Sequence, residues 1–155
     1  MGAKADSVRI VRVGGFVYLR LVRYQRAEPP LKLDGVAAAR SFFAGCFAKS
    51  DPHEETLWVA HLDGEANCLH VSRHPGDSRG VGFPLRTIVL DAARHGSAAI
   101  LLAHNHPSGD SRPSRADLSA TRRLAVAAEA LGCRLADHLV FAGRGCTSLR
   151  SLGYL

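Results

Sequence analysis

Two histidines and an aspartate carry the chemistry that this sequence can do. His104 and His106 stand one residue apart, and Asp117 follows a loop rich in Pro, Ser, Gly and Asp. The stretch opens as the apolar run Ala98–Ala103, which reads as a buried strand. It closes on a helix that starts near Ser114 and carries Asp117 in its first turn. Histidines at i and i+2 of a strand point the same way, so at a strand end both can face one ion. Zinc takes four ligands in a tetrahedron, and catalytic sites draw three of them from protein. Two imidazoles and a carboxylate make such a set, and a water completing it would have its pKa lowered towards about 7. The same residues support a plainer reading. Ser114-x-x-Asp117 is also a helix cap with an acidic partner, while Pro107 and Pro113 stiffen a loop. The residues alone leave both readings standing.

Other two-histidine patterns fit less well. A metallo-β-lactamase site needs HxHxDH, whereas Asp110 lies too far on and no histidine adjoins it. An amidohydrolase barrel needs about 250 residues, against 155 here. Zinc deaminases need H-x-E with P-C-x-x-C. Cys46, Cys68, Cys133 and Cys146 never form a CxxC.

His104-x-His106, seven residues, Ser114, two residues and Asp117 together resemble the JAMM motif of the JAB/MPN metallopeptidase superfamily. The wording His104-Asn105-His106-Pro107-Ser108-Gly109-Asp110, with Pro113-Ser114-x-x-Asp117, is similar to its bacterial RadC-like branch. Phe83–Arg86, Thr121–Leu124 and Asp137–Val140 resemble that branch too, so the likeness runs from about Asp34 to the C-terminus. It implies an α/β fold: a mixed central β-sheet flanked by helices, of the JAB/MPN (cytidine-deaminase-like) type. It also implies zinc-dependent hydrolysis of a peptide or isopeptide bond, with His104, His106 and Asp117 binding Zn²⁺.

Two further roles come only with the resemblance. In the family a glutamate opens a strand eight residues before the aspartate that ends it, and Glu55 and Asp63 have that spacing. Glu55 is thereby implied as general base and later proton donor to the leaving amine. Glu54 is its rival, one residue off register, and strand alternation lets only one of the two reach the site. Ser114 is implied as the hydrogen-bond donor to the developing oxyanion. A different class of function is a non-catalytic interaction or DNA-repair-associated module on the same metal-binding fold. Longer RadC-like proteins carry an N-terminal helix-hairpin-helix region, for which the residues before Glu55 leave no room beside the elements read below.

At this length one compact domain with a real core is expected, here assigned to 34–155 after an N-terminal β-hairpin extension and connector over 1–33. The net charge is +6, and arginine supplies 17 of the 20 basic residues. They are spread along the chain with no dense basic run, so nucleic-acid binding has little support; the resemblance implies a peptide or protein substrate as the partner. No run of 18 apolar residues or signal-peptide pattern appears. The four cysteines lack paired spacing and read as buried free thiols of a reducing, cytoplasmic setting. The oligomeric state is not readable.

The elements follow from periodicity. Val8–Val13 and Phe16–Arg23 flank Gly14-Gly15, a two-residue hairpin signal, with Arg9, Arg12, Arg20 and Arg23 expected to face solvent. Asp34 is placed to cap a helix over Gly35–Ala48 that packs through Val36, Phe43 and Phe47. Glu55–Leu62 alternates with both faces apolar and reads as a central strand, paired through Asp63-Gly64 with Cys68–Ser72. Arg73–Gly82 reads as a loop. Pro84 opens a helix that Gly96 stops, and the strand–helix–strand order predicts a parallel pair with the site at a strand's C-terminal end. The helix after Asp117 is expected to reach about Leu131, with Thr121, Arg122 and Arg123 including exposed positions. Asp137 and His138 read as polar partners of a strand start.

Overall fold

The structure is a computed structural model that describes residues 5–13, 16–24, 29–76 and 83–155. The chain divides into two compact units, Met1–Pro30 and Leu31–Leu155. The first is an antiparallel pair, β1 (Ala5–Val13) and β2 (Phe16–Tyr24), whose register ends on Val13 opposite Phe16. That register suits a two-residue connection, although Gly14-Gly15 and the orientation of the arginines lie outside the described residues. The second unit starts three residues earlier than Asp34, because Lys32 bridges Asn67 and the Leu33 N–H reaches the Ala66 carbonyl.

The larger unit is a five-stranded mixed sheet between helices. In chain order its elements are α1 (Gly35–Phe47), β3 (Thr56–Leu62), β4 (Cys68–Pro75), α2 (Leu85–His95), β5 (Ala99–Asn105), α3 (Arg115–Glu129), β6 (Arg134–Ala142) and β7 (Gly145–Ser148). The strands lie in the order β4-β3-β5-β6-β7. Only β5 and β6 run parallel; the other neighbours are antiparallel. This corrects the strand–helix–strand expectation. β4 and β5 do not touch, because β3 lies between them and pairs antiparallel with both. The parallel neighbours are the next pair along, joined through α3.

Alternation sorts the core into two layers. Leu57 and Val59 of β3, with Ile100 and Leu102 of β5, pack against Ile88 and Ala92 of α2 and Leu124 and Ala128 of α3. Ala60, Leu62, Ala99, Leu101 and Ala103 pack against Ala39 and Phe43 of α1 on the other side. The two central strands β3 and β5 are therefore largely apolar on both faces, as a sheet covered on both sides requires.

Local departures from the expected pattern have simple causes. Val36 is exposed, because Ala39 and Phe43 face the sheet instead. Asp34 occupies the N-cap position of α1 but its side chain makes no capping bond. β4 runs on to Pro75, absorbing the first residues of the expected loop, while 77–82 lie outside the described residues. Gly96 ends α2 with φ +60, a left-handed conformation that glycine takes without a Cβ penalty. No helix among the described residues is long and apolar enough to cross a membrane.

Candidate metal centre

β5 delivers both histidines at its C-terminal end. His104 is the penultimate residue of the strand, and His106 follows it with its backbone N–H on the Phe141 carbonyl at 2.7 Å. The loop then turns through Gly109, at φ +84, where the Gly109 N–H closes on the His106 carbonyl. α3 starts at a capping box: the Ser114 hydroxyl oxygen accepts from the Asp117 N–H at 3.1 Å, and the Asp117 Oδ2 accepts from the Ser114 N–H at 2.7 Å. The cap fixes the Asp117 carboxylate in the first turn, aimed back at the strand end.

There the side chains converge. His104 Nε2 and His106 Nε2 are 2.9 Å apart. Asp117 Oδ1 lies 3.4 Å from His104 Nε2, and Asp117 Oδ2 lies 3.3 Å from His106 Nε2. The edge of a zinc tetrahedron with bonds near 2.05 Å is about 3.3 Å, so these separations suit one ion. Glu55 is the second carboxylate here, with an oxygen within 4.8 Å of ligand atoms of both histidines.

The donor set itself asks for a cation. His106 Nδ1 lies 2.8 Å from the Asp110 carbonyl, which only accepts, so that nitrogen carries the proton and Nε2 bears the lone pair. His104 Nδ1 lies 2.8 Å from His138 Nε2. His138 Nδ1 lies 2.6 Å from Thr121 Oγ1, whose hydroxyl donates to the Asp117 carbonyl at 2.6 Å. That last bond fixes the rest for neutral rings. Thr121 accepts from the His138 Nδ1–H, His138 Nε2 accepts from the His104 Nδ1–H, and the His104 Nε2 is a bare lone pair. Two lone pairs thus face each other at 2.9 Å with carboxylate oxygens beside them. Four acceptors without a proton among them repel unless a positive charge sits between, and the histidine back-bonds are those of metal ligands.

Burial pushes the Asp117 carboxyl up, but positive charge placed at His104 Nε2, whether a proton or a cation, and the Ser114 bonds outweigh it and hold the group well below the usual range. It is a carboxylate at neutral pH, as a ligand must be. Burial also pushes His138 well below the usual imidazole range, with His104 adding to the shift, so it stays a neutral relay.

Sequence reasoning passed over three residues. His138 reads in sequence as a polar partner of a strand start, yet it is the direct partner of His104; parallel pairing of β5 with β6 carries it beneath the site. Thr121 stands in a sequence stretch, with Arg122 and Arg123, that includes exposed positions, yet it is buried at the middle of the relay. Asn105 went unremarked between the histidines. Pointing away from them, its Oδ1 accepts from the Thr56 N–H at 2.8 Å and its Nδ2 donates to the Glu54 carbonyl at 3.0 Å. One side chain thus brackets the backbone on either side of Glu55. Glu54 is exposed, and Glu55, not Glu54, groups with the histidines. Beside His106 lies a cleft of ≈ 330 Å³ lined by Phe47, Asn105, Phe141 and Gly143, among others.

Comparison with known proteins gives a consistent result. The profile of the RadC-like JAB domain matches residues 34–154. A UPF0758 protein of Flavobacterium johnsoniae is 32% identical over 140 residues, covering 88% of this chain and 58% of its own length. One of Syntrophotalea carbinolica is 43% identical over 127 residues, covering 79% of this chain and 55% of its own. One of Methanospirillum hungatei is 49% identical over 70 residues, covering 45% of this chain and 31% of its own. The chain thus spans about half the length, or less, of these curated relatives.

Proposed function

From the premise that this chain belongs to the RadC-like JAB domain family, we propose that it is a zinc-dependent metallopeptidase that hydrolyses a peptide or isopeptide bond. The observation that carries the reading is the convergence of two imidazole lone pairs and the Asp117 carboxylate at 2.9–3.4 Å. His104, His106 and Asp117 would hold the ion, and Glu55 stands beside them as the carboxylate left free. Bound there, zinc supplies Lewis acidity, making water acidic and a carbonyl electrophilic.

The chain's own residues do the rest. Glu55, half-buried and held by the Asn105 bracket, takes a proton from the attacking water and returns it to the leaving amine. Ser114 uses an oxygen lone pair for its cap, which leaves its O–H free to donate to the carbonyl oxygen as negative charge develops. Pairing of Phe47 with Phe141, centroids 5.0 Å apart, gives the adjacent cleft an apolar wall for a substrate side chain. Four free thiols suit a reducing, cytoplasmic setting.

The test is metal analysis of untagged protein together with a cleavage screen over peptide and isopeptide libraries. About one zinc should be lost in His104→Ala. Glu55→Gln should keep that zinc and lose cleavage by about 10²–10⁴-fold. Loss of zinc in Glu55→Gln would make that residue a ligand rather than the base. Zinc without cleavage of any library member would favour a binding module instead.

A further inference from the structure

Of the eight histidines, three belong to the centre described above and four lie along one seam between β4 and α2. His61 of β3 is wholly buried under the C-terminal end of α2. Its Nδ1 lies 3.2 Å from Ser97 Oγ, and its Nε2 has no hydrogen-bond partner. His70 of β4 stands directly opposite it in the antiparallel register, and His74 shares that face of β4. His95 is the last residue of α2. This sheet face is elsewhere the apolar layer of Leu57, Val59, Ile100 and Leu102, so a run of imidazoles there is out of keeping with simple packing.

The three rings are gathered close together, stacked rather than converged. The centroids of His61, His70 and His95 lie 5.8, 5.8 and 4.3 Å apart. Imidazoles on one tetrahedral ion have centroids about 5 Å apart, and the His104–His106 pair stands at 4.7 Å. His95 Nδ1 lies 2.8 Å from the Asp91 carbonyl, so it carries the proton and leaves the lone pair on Nε2. A His61 Nδ1–H donating to Ser97 would leave its lone pair on the orphaned Nε2 in the same way. His61 and His95 are then tied at the back to an oxygen and bare at the front, the habit of metal-ligating histidine. His70 and His95 are parallel within 7°, so one of them must turn about its Cβ–Cγ bond before both face one point. His70 is only half-buried and His95 is exposed, which leaves that turn free.

We propose that His61, His70 and His95 form a second metal site, which takes a divalent cation of imidazole preference such as zinc and ties the edge strand β4 to α2. Burial pushes the His61 imidazole down to about 4, with the neighbouring His70 adding to the shift, so the ring is uncharged at neutral pH and suits a cation better than an anion. The site is independent of the hydrolase reading and is tested without measuring activity.

Metal-stripped, untagged protein is titrated with zinc chloride by calorimetry. Wild type should bind one ion more than His70→Ala/His95→Ala, and His104→Ala should keep the seam ion. Equal stoichiometry in wild type and the double variant overturns the proposal. A second measurement stands in should the double variant fold poorly. In the His104→Ala background zinc should raise the thermal midpoint, and the single change of exposed His95 to Ala should abolish the rise. A rise that survives His95→Ala also overturns it.

Discussion

His138→Leu tests whether the metal centre depends on a residue that never touches the metal. His138 is buried, with Nε2 at 2.8 Å from His104 Nδ1 and Nδ1 at 2.6 Å from Thr121 Oγ1. Leucine fills most of the ring's volume but offers no polar atom. The His104 Nδ1–H then loses its acceptor in a dry setting, at a cost of ~1–3 kcal/mol. His104 recovers part of that by rotating or by moving its proton to Nε2, and both responses spoil the lone pair that zinc needs. Loss of such a partner weakens metal binding about 10–100-fold, or ~1.4–2.7 kcal/mol. The assay is competition for zinc between metal-free protein and a chromophoric chelator near neutral pH, with urea melts run alongside to confirm folding. His138→Gln keeps an acceptor for the His104 N–H and should recover most of the affinity. A folded His138→Leu protein that binds zinc as tightly as wild type would refute the relay and the tautomers deduced from it.

Four other outcomes follow. Asn105→Ala removes both bonds that bracket Glu55, so kcat should fall about tenfold or more through misplacement of the base while zinc affinity holds within a few-fold; unchanged kcat would sink the bracket. Ser114→Ala should lower stability by ~1 kcal/mol through the lost cap and kcat by about 10²–10³-fold; Ser114→Asn, also a good cap, should restore the urea midpoint and leave the rate low. Asp63 accepts from Glu65 N–H and from the backbone and side chain of Asn67, all at 2.9 Å, and the Asn67 side-chain bond is the first cause of a lowered carboxyl pKa. Its folded value therefore lies below the unfolded 3.8, so its stabilisation is full above that pH and fades as pH falls through the folded value; urea melts of Asp63→Asn should lack that acid-limb loss. Phe43→Ala empties a wholly buried ring site against the sheet and should cost ~3–5 kcal/mol by chemical denaturation.

The parts of this fold legible in sequence are those where one local rule decides. Alternation in Leu57–Leu62 gave a two-faced apolar strand, and β3 lies inside the sheet. The Ser114-x-x-Asp117 cap and the metal-ligand pattern are rival readings of the sequence, and in the structure Asp117 makes the cap while its carboxylate also lies beside both histidines. Pairing was less legible, because hydrogen bonding between strands is a long-range choice. The β4–α2–β5 order is compatible with neighbours or with a strand between, and β3 took that place. His138 and Thr121 were hidden for the same reason. Nothing near them in sequence says that parallel register brings His138 opposite Leu102 or that Thr121 turns inward from α3. The histidine seam was equally invisible, since His61, His70 and His95 come from three elements and meet only after β3 and β4 pair and α2 docks.

Asp117 couples helix to site in a way that a list of ligands conceals. One carboxylate oxygen faces His104, while the other faces His106 and accepts the Ser114 N–H. The same residue's backbone carbonyl accepts the Thr121 hydroxyl that ends the relay from His104. The first turn of α3 therefore touches the ion position twice, directly through the carboxylate and indirectly through Thr121, His138 and His104. A shift of α3 relative to β5 cannot move one of the proposed ligands without disturbing the other, which holds the spacing between them. The strand end and the helix start on either side of the 107–113 loop, rather than the loop itself, set the geometry.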